Sequence, residues 1–159
     1  MSVIISPMIM TCKPKSIFSS DSLLEGGGHR AELMFNWFGE QGSVSLDGKY
    51  YRVNKLGLFQ GRWTLTDQSG VRVSAEKLSP FSRAFIIQSS GETYRLEAQS
   101  IFSRAMSLHG GRANLTIAPN HMLTRKTTLS GSFPDIETTC LAMWLTLLMW
   151  RRSSNNSSS

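Results

Sequence analysis

A chain of 159 residues is long enough for one domain with a real core and short for two. Its 40% apolar and 18% charged residues exclude wholesale disorder, and a formal net charge of +6 favours anionic partners where it does more than keep the chain soluble. Two cysteines, Cys12 and Cys140, make neither a disulfide framework nor a zinc site, so a reducing, cytoplasmic setting is expected.

In chain order, the first segment is patchily apolar, broken by Pro7, and followed by Lys13 and Lys15, the reverse of a secretory signal. Ile9-Met10-Thr11-Cys12 is faintly similar to a lipoprotein cleavage site, but Thr11 suits it poorly. Without an export signal the sequons at Asn114 and Asn156 carry no weight. Residues 1–34, Ser-rich and containing Gly26-Gly27-Gly28, show no sustained period and read as a disordered tail and linker.

The folded part, residues 35–152, reads as short strands separated by turns. Val71–Glu76, Thr93–Ala98 and Ala113–Ile117 alternate apolar and polar residues, as strands with one buried face do. Asp47-Gly48, Ser69-Gly70, Ser90-Gly91 and Gly110-Gly111 are hairpin signals at spacings of 22, 21 and 20 residues. Leu58–Trp63, Pro80–Phe85, Ile101–Met106 and Met122–Thr127 align as one repeated unit, with Arg62, Arg83, Arg104 and Arg125 at steps of 21. An apolar residue stands two positions before each arginine, or three in the first copy. Nine or ten such strands form a meander whose edges are best removed by closure into a barrel.

Beyond Pro134 the chain changes character. Asp135 is a suitable helix N-cap, Glu137 adds negative charge to the first turn, and Arg151-Arg152 add positive charge at the end. The helix expected over about 135–151 has no polar face, so it must be buried on all sides, in a core or in a membrane. Ile136–Trp150 would run about 22 Å, short of the roughly 20 residues that a bilayer needs. That length favours a helix at the centre of the barrel. Trp144, Trp150 and the two arginines keep a tail anchor as the alternative. Residues 153–159, only Ser and Asn, read as a disordered tail.

Short antiparallel strands followed by an apolar helix ending in Trp150-Arg151-Arg152, with phrases such as Gly57–Trp63, resemble the tubby C-terminal-like superfamily. That group includes tubby proteins, phospholipid scramblases and LURP-one-related proteins. The resemblance covers about Asn36–Arg152 and implies a closed antiparallel β-barrel around a C-terminal hydrophobic helix. The acidic calcium-binding segment and the cysteine cluster of scramblases are absent, so scramblase activity is not expected.

No catalytic grouping stands out. His29, His109 and His121 lie in separate segments, away from metal-ligand spacing, and Gly42–Lys49 lacks the spacing of a phosphate loop. Asp67, Glu76, Glu92 and Glu97 fall on polar strand faces or turns, where solvated acids are expected. A non-enzymatic chain without cofactor or metal is therefore the expectation. Equivalent positions in successive hairpins place Arg62, Arg83, Arg104 and Arg125 as a basic arc for phosphate oxygens, which Arg95, Arg112 and Lys126 enlarge if they share its face. The plainer reading is that they solvate the outer wall and blunt edge pairing. The expected function is peripheral binding of anionic lipid headgroups. A structural or protein-interaction domain is the alternative, and a nucleic-acid role ranks below because Tyr51, Trp63, Phe85 and Tyr94 suit a core equally well.

Overall fold

Two-residue alternation, interrupted at regular intervals by turns, cuts the described residues into twelve strands and one helix. The structure, a computed structural model, describes residues 8–17, 19–36, 38–57, 61–122 and 124–157. In order, the strands are β1 (Met8–Pro14), β2 (Ser22–Gly26), β3 (His29–Phe35), β4 (Gly42–Leu46), β5 (Lys49–Leu56) and β6 (Arg62–Asp67). There follow β7 (Gly70–Lys77), β8 (Ala84–Ser89), β9 (Glu92–Ala98), β10 (Met106–Gly110), β11 (Ala113–Pro119), β12 (Thr127–Ser132) and the helix α1 (Ile136–Asn156). Every strand pairs antiparallel with its sequence neighbours, and β1 pairs with β12 to close the barrel, so no edge is left open.

The segment expected to be a disordered tail is therefore part of the wall from Met8 onward. β1 turns Met10 and Cys12 inward and Thr11 and Lys13 outward, and Gly26-Gly27-Gly28 forms the β2–β3 hairpin rather than a linker. Gly27 and Gly28 take φ of 60° and 80°, which suits the twist of a two-residue hairpin and is costly for residues with a Cβ. Leu58-Phe59-Gln60, from the first copy of the repeated unit, lies outside the described residues.

The barrel is filled by α1. Inward residues such as Val53, Leu65, Phe85, Leu96 and Leu115 meet a helix buried from Thr138 to Thr146 and again from Leu148 to Trp150. Trp144 stacks on Phe35 with ring centroids 4.5 Å apart. Tyr51, Trp63, Phe85 and Tyr94 are all core. Asp135 caps the helix, its Oδ2 accepting from Thr138 N at 3.0 Å and its Oδ1 from Thr138 Oγ1 at 2.7 Å. The helix continues past its expected end to Asn156, into the segment expected to be a disordered tail, because turns propagate from the seated helix at little cost. No described helix is long and apolar enough to cross a membrane.

One departure within the wall has a clear cause. Val71 is exposed although it continues the alternation of Val73 and Ala75, because the β6–β7 register shifts at Leu65/Thr66 and frees one residue from the pattern.

Candidate functional site

The antiparallel meander sorts its connections to two ends. Tight turns at 27–28, 47–48, 68–69, 90–91 and 111–112 lie at one end, where α1 enters; longer loops at 15–21, 36–41, 57–61, 78–83, 99–105 and 120–126 lie at the other, where it leaves.

Four of the loops share one backbone design. Ser19 N donates to Ser16 O, Ser82 N to Ser79 O, Ser103 N to Ser100 O and Thr124 N to His121 O, each at 3.3 Å. These are β-turns, and their described central residues face away from the barrel. Polar residues normally fill such positions. Here the described ones include Ile17, Phe81, Ile101, Phe102 and Met122, and Phe38 stands in the 36–41 loop. All six are between 82% and 97% exposed. The sequence also places Phe18, Trp37, Leu58, Phe59 and Leu123 in these loops, outside the described residues. Of the large apolar residues exposed among those described, only Ile9, Tyr50 and Val71 lie away from this end.

The arginine series holds these loops in place. Arg83 donates to Ser103 O at 2.8 Å and Ser100 O at 2.7 Å in the next loop. Arg104 does the same to Met122 O at 2.9 Å and Thr124 O at 3.4 Å. Arg125 crosses the barrel closure to Ser19 O at 2.8 Å and Ser16 O at 3.0 Å. Arg62 instead pairs with Glu76 at 3.2 Å on the neighbouring strand. Three of the four arginines thus converge on one end, and their planar forks bind backbone carbonyls there while keeping their charge. Arg95 pairs along its own strand with Glu97 at 2.7 Å, Lys126 lies in the loop end, and Arg112 sits in a turn at the opposite end.

Three tryptophans and the helix C-terminus complete the frame. Trp63, Trp144 and Trp150 donate their indole N–H to the carbonyls of Glu40 at 3.0 Å, Met34 at 3.1 Å and Arg104 at 2.8 Å, all near this end. The Arg104 guanidinium lies over the Trp150 ring, 4.6 Å from its centroid. Glu40 accepts from Arg152 and from Lys55. Burial pushes its carboxyl up, but those hydrogen bonds and the two positive charges outweigh it and hold the pKa below the ordinary value.

Charge divides the same way. The six loops and the helix end carry Lys15, Arg83, Arg104, Arg125, Lys126, Arg151 and Arg152 against Asp21 and Glu40, seven cations to two carboxylates. The five turns and the chain approaching α1 carry Arg112 against Asp47, Asp135 and Glu137. A groove of about 880 Å³ on the outer wall near the turn end is lined by polar side chains, including Tyr50, Arg52, Asn54 and Thr66, and belongs to neither end's apolar set.

Cys12 and Cys140 are free and buried; burial pushes the Cys12 thiol up to about 12, against a hydrogen bond with Ser22, and raises Cys140 as well. Both are packing residues rather than nucleophiles. Among the described residues, no three His, Cys, Asp or Glu side chains gather to hold a metal. No protein family, curated protein or solved structure matches the chain.

Sequence reasoning found the arginine repeat but not its use, and it missed the apolar tips altogether. The signal was the apolar residue two positions before Arg83 and Arg104, Phe81 and Phe102. Within a strand that residue reads as wall; at the centre of a β-turn it has no choice but to face outward.

Proposed function

We propose that this chain is a non-enzymatic module that docks peripherally on anionic membrane surfaces through its loop end. The observation that carries the reading is the ring of almost fully exposed Ile, Phe and Met side chains on latched loops, set among cations. Large apolar side chains at this exposure give nothing to the fold, whereas moving a Phe from water into the acyl boundary returns about 1.5–3 kcal/mol. The surrounding cations add roughly 1 kcal/mol each near an anionic leaflet. Neither term alone anchors a protein firmly, and the two together are the usual requirement. A barrel threaded by an apolar helix, as in the tubby-like superfamily, is the architectural side of the same reading. Docking at the cytoplasmic leaflet follows from its anionic lipid.

Flotation with vesicles of phosphatidylcholine, with and without about one-third phosphatidylserine, tests the proposal. Binding is expected with the anionic vesicles and is expected to weaken at high salt. Replacing Phe81 and Phe102 with Ala should lower affinity about 100-fold, or about 3 kcal/mol, with the unfolding midpoint unchanged. Loss of flotation would mean little if the variant were misfolded, so its urea melt is recorded alongside. Absence of flotation by the intact chain would overturn the reading in favour of a protein-interaction domain. Salt-resistant flotation with both vesicle types, coupled to loss of the barrel's amide protection, would favour release and insertion of α1.

A further inference from the structure

The last turn of α1 emerges among the loops of the docking end, and it carries Arg151-Arg152-Ser153-Ser154. We infer that Ser154 is a phosphorylation site for a basic-directed protein kinase and that phosphate there releases the module from an anionic membrane. The inference rests on the membrane-docking reading and names its regulation.

Three features meet at this residue. Two arginines stand two and three positions before a serine, the spacing that an acidic kinase cleft reads as paired positive charge. Ser153 to Ser157 are exposed, while Arg151 and Arg152 are half-buried at the mouth of the barrel. The turn is also easy to open. Ser and Asn are poor helix formers, and the back-bond from Ser154 Oγ to the Trp150 carbonyl competes with the regular ladder. Unwinding residues 151–157 gives up the Arg152–Glu40 pair but leaves the buried residues from Thr138 to Trp150 in place, so the arginines and Ser154 can extend together without unfolding the barrel.

The chemistry closes simply. Ser154 Oγ attacks the terminal phosphorus of ATP, an O–P bond forms, the bond to the bridging oxygen breaks, and ADP leaves with that electron pair. The hydroxyl proton passes to the kinase's catalytic base. The product places about two negative charges at a helix C-terminus, where the dipole already disfavours them, so the last turn melts and the phosphate is free to pair with the nearby arginines. An end that holds seven cations and two carboxylates thereby loses close to half of its surplus. At about fivefold in affinity per charge near an anionic surface, a loss of roughly 30-fold follows.

The test uses the full chain, the catalytic subunit of a cyclic-AMP-dependent kinase with ATP, and phosphatidylcholine–phosphatidylserine vesicles. Mass spectrometry should locate one phosphate at Ser154, and the phosphoprotein should float roughly 30-fold more weakly than the unmodified chain. Ser154→Ala should take up no phosphate and bind as the unmodified chain does; Ser154→Glu should reproduce part of the loss. No phosphate at Ser154, or a phosphoprotein that binds unchanged, overturns the switch and leaves membrane docking standing. An unmodified chain that binds no vesicle overturns both, and the phosphate analysis tells the two failures apart.

Discussion

The two ends of the barrel solve the same problem, reversing a strand, in opposite ways. At the turn end the connections are two residues long and polar, and they tolerate strain for brevity. Asp47 takes φ of 50°, and its carboxylate is occupied by His29 Nδ1 at 2.6 Å and the Arg30 N–H at 2.8 Å. At the loop end the connections are longer, present apolar side chains to water, and need arginine forks and tryptophan N–H groups to keep their shape. An unlatched loop with Phe at its centre would fold its side chain onto the wall. Hydrogen bonds that hold it outward stabilise a conformation that the hydrophobic effect opposes. A fold optimised only for stability has no reason to build such an end, and that contrast is what makes the loop end the functional one.

If the loop end is also where the helix is fixed, its removal must cost more there than at the turn end. Trp150→Ala deletes a buried ring, its bond to the Arg104 carbonyl and the platform beneath the Arg104 guanidinium. A loss of about 3 kcal/mol or more in unfolding free energy is expected from urea titration. At the other end, Asp135→Ala removes the N-cap and should cost about 1 kcal/mol, with vesicle binding unaltered. Equal costs for the two, or a larger one at Asp135, would erase the asymmetry.

The sequence carried the closed barrel, because alternation and hairpin signals agree with one another, while the expected nine or ten strands fell short of twelve and the apolar helix left a tail anchor as the alternative. It carried less of the first three strands. Stepping the hairpin signals back by 20 residues from Asp47-Gly48 arrives at Gly27-Gly28, so the period was present, but Met10 and Cys12 are too sparse an apolar set to announce β1 on their own. The docking end was least legible. Whether Phe81 or Phe102 faces a core or water depends on whether it sits in a strand or at the centre of a β-turn, and the strands begin only three and four residues further on, at Ala84 and Met106. The role of Arg83, Arg104 and Arg125 was hidden for a related reason: their partners are carbonyls of the adjacent loop, about 20 residues away or across the barrel closure, and every residue type has a carbonyl.

The smallest expected effect separates the two ends most finely, because it has opposite signs on stability and on binding. Glu40 ties the 36–41 loop to Arg152 of the helix and Lys55 of the wall, and its pKa is held below the ordinary value. A carboxylate with a depressed folded pKa contributes stability that is present above its unfolded pKa and is lost as pH falls through the folded one. Glu40→Gln should therefore be less stable than the natural chain near neutral pH, by under about 1 kcal/mol because solvent screens the part-buried site, and the difference should close in acid. The same change removes one of the two carboxylates among the loops and should strengthen binding to anionic vesicles about fivefold at low salt. Urea melts across that pH range, set beside flotation of the same variant, read both quantities. A variant that loses stability and affinity together would make Glu40 a determinant of loop shape; one that loses stability while gaining affinity places it where the latch and the membrane compete for the same cations.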